Sequence, residues 1–162
     1  MIRLLQPWHT NTRKRLVKSP KLYFRDSGIL HSLMRVHDSE QLFTHSKLGA
    51  SWEGFALECV ARLLDRREIE PYFWATHTGA ELDLFFRHGG GNWGVEFKFA
   101  DAPRLTKSMR VCSQDLDLRH LWVVTPGRER YRLDARTTVL PVRQLAEITA
   151  SLSGGMESPI VV

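Results

Sequence analysis

Hydrophobic and polar positions repeat along this chain with two periods, and the two periods predict its helices and strands. Over residues 49–65 apolar residues recur at helical spacing, which predicts an amphipathic helix with Ser51 as its N-cap. The stripe predicted to be buried consists of Trp52, Phe55, Ala56, Cys59, Val60 and Leu63. The same spacing predicts further helices over residues 26–36, 104–116 and 142–152.

Strand signals lie between these helices. Residues 71–75 form a short apolar segment, and residues 81–98 form a hairpin around the glycine-rich turn His88–Asn92. The apolar run 121–124 predicts a strand buried on both faces. Two short edge strands are predicted over residues 130–133 and 137–140, and a looser stretch over residues 37–47. Helices that alternate with strands in this way predict an α/β domain with a mixed central sheet.

The hairpin is predicted to bring charged side chains together. Strict alternation places Glu81, Asp83 and Phe85 on one face of the first strand, and Leu82, Leu84 and Phe86 on the other. In the second strand Gly94, Glu96 and Lys98 share a face. With the turn centred near Gly90, Asp83 lies level with Glu96 or Phe97. Two carboxylates and a lysine are therefore expected to converge on one patch.

This patch suggests metal-assisted chemistry on phosphate. Neighbouring carboxylates repel each other unless a cation neutralises them, and carboxylate oxygens suit Mg²⁺ or Mn²⁺. A lysine beside such a metal can orient or deprotonate a water and offset the charge that develops on phosphorus. The pattern therefore favours a metal-dependent phosphodiester hydrolase. The alternative is the solvated face of an amphipathic hairpin, in which Glu96 and Lys98 form a surface pair.

Glu53 is a third candidate carboxylate. It lies about 100° from Trp52 around the helix axis, at the edge of the stripe predicted to be buried, and can reach toward the sheet. The alternative role is a first-turn acid that interacts favourably with the helix N-terminus.

The order of these residues resembles the PD-(D/E)XK nuclease superfamily. Glu53 stands on the first helix, Asp83 on the second strand, and Glu96-Phe97-Lys98 on the third. The proline that precedes the aspartate in the superfamily's signature is replaced by Leu82. The resemblance implies a three-layer, restriction-endonuclease-like core with a mixed central β-sheet flanked by helices. It also implies Mg²⁺ or Mn²⁺ held by Glu53, Asp83 and Glu96, with Lys98 as the catalytic lysine.

A closer resemblance covers most of the chain. Residues 14–28 (KRLVKSPKLYFRDSG), 48–53, 81–84 and 95–98 are similar to an uncharacterised, nuclease-like C-terminal domain of prokaryotic AAA-type ATPases. The resemblance implies an ATPase module as a partner in cis or in trans. The sequence contains no P-loop motif, so the chain is expected to be a stand-alone domain, a product of a split gene or a truncated protein.

Charge is distributed unevenly. Residues 1–25 hold seven basic residues and no Asp or Glu, whereas the rest holds 16 basic and 18 acidic residues. We therefore predict a basic N-terminal arm and helix (1–47), a nuclease-like core (48–152) and a flexible tail (153–162). Basic residues interleaved with aromatic ones favour contact with nucleic acid, DNA above all. The predicted contacts are Arg13, Lys14, Arg15, Lys18, Lys21, Arg104, Lys107 and Arg110. The alternatives are a solvated linker for the arm and an ordinary solvated face for the helix.

Composition bounds these expectations. The 162 residues are 43% hydrophobic and 25% charged, as in a single globular domain. Neither a membrane-spanning run nor a secretion leader is recognisable, so a cytoplasmic protein without membrane contact is expected. Cys59 and Cys112 are expected to be reduced core residues. A homodimer would allow two strands to be cut. The competing hypotheses are a non-catalytic nucleic-acid- or partner-binding module of an ATPase and a degenerate fragment that needs its ATPase.

Overall fold

The computed structural model describes residues 1–9 and 15–153, and within these residues eight strands form one mixed sheet. The strands are β1 (Ile2–Pro7), β2 (Lys21–Phe24), β3 (Tyr72–Ala75), β4 (Glu81–His88), β5 (Gly91–Phe97), β6 (Leu118–Thr125), β7 (Tyr131–Arg132) and β8 (Thr137–Pro141). Their order in the sheet is β2-β1-β3-β4-β5-β6-β8-β7. Strand β1 runs parallel to β3, and β5, β6 and β8 run parallel to one another, whereas the remaining neighbours are antiparallel.

Helices cover both faces of this sheet. The described part of the chain forms α1 (Ser27–Leu33), α2 (Ser39–Thr44), α3 (Leu48–Asp65), α4 (Lys107–Asp115) and α5 (Ala146–Ser153), with a 3₁₀ turn at Val142–Gln144. The adjacent residues Phe85 and Phe86 of β4 point to opposite faces. Phe86 packs in a core cluster with α3, whereas Phe85 packs in a second cluster with Met109 and Cys112 of α4. The predicted α/β class with a mixed sheet is confirmed.

A bulge interrupts the alternation predicted for β4. Tyr72 pairs with Phe85 and Trp74 with Leu82, so two residues of β4 stand opposite the single residue between them on β3. Leu82 consequently packs with Phe85 on the α4 side, while Leu84 packs on the α3 side. The prediction that Leu82 and Leu84 share a face was wrong, because an extra residue shifts the period of two.

The hairpin between β4 and β5 follows the sequence pattern. His88 pairs with Gly91, and both glycines of the two-residue turn, Gly89 and Gly90, have positive φ, as a type I′ turn requires. Strand pairing continues to Leu84 and Val95, which sets Asp83 level with Glu96. The predicted register is confirmed as far as Leu84 and Val95, the residues next to the candidate carboxylates.

Helix α3 has the predicted length but not the predicted buried face. Its N-cap is Lys47 without a side-chain hydrogen bond, so the assignment of this role to Ser51 was wrong. Ser51 is buried inside the helix, and its Oγ lies 2.7 Å from His31 Nε2. The fully buried apolar positions are Ala56, Leu57, Val60, Ala61 and Leu64, whereas Phe55 is 43% exposed. Besides the sheet, α3 contacts α1, α2 and α5, which the single apolar stripe did not take into account.

Three further segments differ from the expectations. The looser stretch contains the short helix α2, whose N-cap Asp38 accepts a hydrogen bond from the backbone N–H of Gln41. Strand β8 is not an edge strand, since it lies between β6 and β7 and is buried throughout. The basic segment 1–25 supplies β1 and β2 to the sheet. Of the predicted tail, only Ser153 lies within the described residues.

The described residues also bear on membrane contact and on the cysteines. No helix among them combines the length and the apolar content needed to cross a bilayer. Cys112 is buried and Cys59 is half-buried, and both are free thiols.

Candidate functional site

Asp83 and Glu96 form a buried pair of carboxyl groups in the middle of the sheet. The two residues are 7% and 6% exposed. The bulge in β4 brings Asp83 Oδ2 within 2.9 Å of the backbone N–H of Phe97, which donates to it. The sequence-based prediction that these two carboxylates lie close together agrees with the structure, in which the charge of Glu96 acts on Asp83.

The surroundings of this pair disfavour two negative charges. Burial, together with the charges of Glu96 and Glu53, raises the pKa of Asp83 well above its ordinary value, against the opposing effects of the Phe97 N–H and Lys98. Burial also raises the pKa of Glu96, although Lys98 acts in the opposite direction. The protein without a bound cation therefore favours a proton on the pair.

Lys98 lies directly beside Glu96. Its Nζ is 2.7 Å from Glu96 Oε1, and its side chain is 40% exposed while that of Glu96 is 8% exposed. Partial burial would lower the pKa of Lys98, but Glu96 and the more distant Asp83 and Glu53 raise it above its ordinary value. Lys98 is thus a protonated cation with one side open to solvent.

Glu53 approaches the pair from α3. Its Oε1 accepts a hydrogen bond of 2.8 Å from the hydroxyl of Tyr23, which lies on β2. Burial and the charge of Glu53 raise the pKa of Tyr23, so the phenol remains a donor. The charge of Glu53 acts on Asp83, Lys98 and Lys21, which shows that the three predicted carboxylates share one neighbourhood.

Two contacts of the site were not expected from the sequence. One is the Tyr23 hydroxyl, and the other is an ion pair between Lys21 and Glu81. Lys21 was predicted as a nucleic-acid contact on an arm. One sequence feature could have indicated these two contacts. Lys21 and Tyr23 are two residues apart on a short strand, so their side chains point to the same face of the sheet.

The donor set suits a divalent cation held by two carboxylates. Glu96 Oε2 is buried and has no hydrogen-bond partner among the described residues, so one carboxylate oxygen remains available for a ligand. Mg²⁺ commonly takes one or two protein carboxylates and completes its shell with water and phosphate oxygens. Within residues 1–9 and 15–153, no group of three His, Cys, Asp or Glu side chains is arranged to hold a metal. The pair Asp83 and Glu96 therefore fits such an ion, whereas Glu53 does not complete a three-ligand cluster in this conformation.

The predicted nucleic-acid contacts are dispersed. Arg15 and Lys18 line a cavity of about 580 Å³ together with His9 and His77. Arg104, Lys107 and Arg110 are exposed at and before α4, on the opposite face of the sheet from α3. The remaining two predicted contacts, Arg13 and Lys14, lie outside the described residues.

Comparison with known proteins identifies relatives of undetermined activity. A model of the family described as a domain of unknown function, DUF4143, matches residues 48–145, and one described as DUF8612 matches residues 1–40. The chain is 41% identical over 145 residues to the uncharacterized protein Mb2031c of Mycobacterium bovis and to the uncharacterized protein Rv2008c of Mycobacterium tuberculosis. Each alignment covers 90% of this chain and 32% of the relative, so the chain spans about a third of their length. No solved structure gives a significant match.

Proposed function

This chain belongs to the DUF4143 family, and we propose that it is a Mg²⁺- or Mn²⁺-dependent nuclease that hydrolyses phosphodiester bonds of nucleic acid. The observation that carries the proposal is the buried pair Asp83 and Glu96, with an unpartnered oxygen on Glu96 and the ammonium of Lys98 beside it. The order α3-β3-β4-β5-α4-β6 supports a three-layer, restriction-endonuclease-like core. The resemblance to PD-(D/E)XK nucleases rests on the same residues.

Each side chain has a role in the proposed reaction. Asp83 and Glu96 would hold the cation, which as a Lewis acid polarises a phosphoryl oxygen and lowers the pKa of a bound water. Lys98 is protonated and half-open to solvent, so it offsets negative charge on the scissile phosphate. Glu53, fixed by the Tyr23 hydroxyl, offers a second oxygen that orients the attacking water.

The partners belong to the proposal as well. DNA is the favoured nucleic acid, a homodimer would allow cleavage of two strands, and the cytoplasm is the proposed compartment. The curated relatives are about three times longer than the matched segment, which leaves room for a further module in them. An AAA-type ATPase in cis or in trans is our proposal for that module.

A second candidate function is a non-catalytic module that binds nucleic acid or a partner protein for an ATPase. The observation that favours it is the ion pair between Lys98 and Glu96, which neutralises one of the two buried carboxylates without a metal. The absence of a three-ligand group among the described residues points the same way.

Thermal unfolding with and without millimolar Mg²⁺ or Mn²⁺ separates the two. A metal that binds only the folded state stabilises it by about 1.4 kcal/mol when its free concentration is ten times Kd. We expect this rise in Tm for the wild type and its loss in Asp83→Asn, which keeps an acceptor for the Phe97 N–H but removes the charge. Because repulsion in the pair is relieved, Asp83→Asn without metal should melt at or above the wild-type temperature.

Glu40→Gln provides the control, since Glu40 is an exposed acid in the first turn of α2. Its response to metal should equal that of the wild type. A wild type whose Tm does not change with either metal would contradict the nuclease proposal and favour the binding module. A metal response shared by Asp83→Asn would place the bound metal elsewhere.

A further inference from the structure

Three aromatic rings lie together beside the candidate site. The ring centroid of Trp52 is 5.8 Å from that of Phe55 and 5.9 Å from that of Phe99, with tilted planes in both pairs. We call Trp52, Phe55 and Phe99 the aromatic shelf. Trp52 packs against the hydrophobic core cluster that contains α3, so the position of its ring is fixed by the core.

The residues of the aromatic shelf are close in sequence to two residues of the candidate site. Trp52 directly precedes Glu53 on α3, Phe55 follows Glu53 by two residues, and Phe99 directly follows Lys98. Phe55 and Phe99 are each 43% exposed. Grouped aromatic rings that remain open to solvent indicate a surface used for binding, because burying them would release water at little entropic cost.

Basic residues line two cavities next to Phe55. Phe55 lines a cavity of about 160 Å³ with Arg25 and Arg62, and a second cavity of about 370 Å³ with Lys47 and Glu53. Arg25 and Arg62 are 44% and 58% exposed.

Acids accompany these two arginines: both pair with Glu58, and Asp26 lines the same cavity of about 160 Å³. Three arginines, Arg3, Arg25 and Arg62, share the two carboxylates of Glu58 and Asp65. With Asp26 counted, the described acids balance these three arginines, so what the group presents beside Phe55 is two solvent-exposed guanidinium groups. Exposed cations thus lie near the aromatic shelf, and basic side chains beside exposed aromatic rings are a combination that single-strand binding proteins use.

We propose that the aromatic shelf stacks unpaired nucleobases, so that the nucleic acid bound at this site is single-stranded or contains an unpaired segment. In a duplex each base face is covered by its neighbours, whereas an unpaired base can offer its face to an aromatic ring. The exposed cations nearby are placed for the phosphates. The inference rests on the nucleic-acid binding of the proposed function and does not require cleavage.

Binding of fluorescein-labelled oligothymidylate, followed by anisotropy with Ca²⁺ in place of Mg²⁺, tests the proposal. Loss of stacking with one base corresponds to roughly a tenfold change in affinity. We expect Phe99→Ala and Phe55→Ala each to bind about tenfold more weakly, and Phe99→Leu to fail to restore the affinity because it lacks a ring. Phe43→Ala is the matched control, since Phe43 is a 65% exposed phenylalanine on α2 and should have no effect.

An oligonucleotide of abasic residues gives the sharper comparison. The wild type should bind it about a hundredfold more weakly than oligothymidylate because both stacking contacts are lost, whereas Phe99→Ala, which keeps Phe55, should show only about a tenfold difference. The dependence of log Kd on log salt should be unchanged in Phe99→Ala, because the phosphate contacts remain.

Three results would overturn the inference: no binding of oligothymidylate by the wild type, unchanged affinity in both alanine variants, or full affinity in Phe99→Leu. The last would indicate that Phe99 contributes apolar contact and not ring stacking. A cleavage assay with Mg²⁺ or Mn²⁺ on the same oligonucleotide keeps the two proposals apart. If binding depends on the aromatic rings but no cleavage occurs, the stacking proposal stands and the nuclease proposal is rejected.

Discussion

Glu58→Gln is expected to lower the free energy of unfolding by about 3 kcal/mol at neutral pH. The side chain of Glu58 is 5% exposed, and its carboxylate accepts hydrogen bonds from the Nε atoms of Arg3, Arg25 and Arg62 at 2.7, 2.9 and 3.0 Å. These contacts fasten α3 to β1 and to the segment after β2. A glutamine offers one oxygen to three guanidinium groups and adds an N–H pair that none of them can accept.

The magnitude follows from the exposure of each partner. Arg25 and Arg62 are 44% and 58% exposed, so each contributes about 0.5 kcal/mol. The Arg3 side chain is 13% exposed, and a charge-assisted hydrogen bond in such a position contributes about 1.5 to 3 kcal/mol. The pair with Arg3 therefore decides the size of the effect.

The pH dependence gives a second test of the same contacts. Burial raises the pKa of Glu58, but the hydrogen bonds from the three arginines outweigh it and hold the pKa below its ordinary value. A carboxyl group whose pKa is lower in the folded state stabilises the fold above its unfolded pKa, near 4.3, and this contribution is lost as the pH falls through the folded value. The difference between wild type and Glu58→Gln should therefore shrink below about pH 4.

Urea unfolding of both proteins measures these quantities. Glu147→Gln is the matched control, because Glu147 pairs with Arg130 at 2.8 Å while both side chains are about half exposed. Glu147→Gln should lower the free energy of unfolding by less than about 1 kcal/mol. A loss in Glu58→Gln no larger than that in the control, or a loss that does not change with pH, would refute the reasoning.

Two further predictions concern buried titratable groups. Burial raises the pKa of the Cys112 thiol to about 12, so Cys112 should not react with a thiol reagent at pH 8 in the folded protein and should react in urea; because Cys59 is also a free thiol, the labelled residue is located by peptide mapping, and rapid labelling of Cys112 without urea would contradict its burial. Burial, followed by the charges of Arg132 and Arg130, lowers the pKa of His120 to about 4. At pH 5 the unfolded chain therefore binds a proton that the folded chain does not. The free energy of unfolding, measured in urea, should fall between pH 7 and pH 5 by about 2 kcal/mol more for the wild type than for His120→Gln. An equal fall in both proteins would refute this prediction.

The hairpin and its carboxylates could be predicted from the sequence because they depend on local rules. Two glycines with positive φ fix the turn, and the turn fixes the register that sets Asp83 beside Glu96. The length of α3 could be predicted for the same reason, since its apolar spacing extends over the whole helix.

The remaining features depend on contacts between distant segments. Phe55 was expected to be buried from helical spacing alone, but α3 contacts α1, α2 and α5 besides the sheet. The bulge in β4 is visible only against its partner β3. The hydrogen bond from Tyr23 to Glu53 joins residues 30 positions apart, and the alternation within β2 indicates which face Tyr23 occupies but not which helix it meets. Burial of Glu58 likewise requires Arg3 from a strand that precedes it by 55 residues.

The pairing of β1 with β3 has a consequence for how the chain can be divided. Gln6 and Pro7 pair with Tyr72 and Phe73, and the backbone N–H of Trp8 donates to the Phe73 carbonyl at 2.6 Å. The two matched family segments therefore share one hydrogen-bond ladder. If residues 48–145 were expressed alone, β3 would become an uncovered sheet edge with free backbone donors and acceptors, which is a template for self-association. The boundary between the two families is thus not a boundary of cooperative unfolding, and amide protons of β3 should owe their protection from exchange to the first strand of the chain.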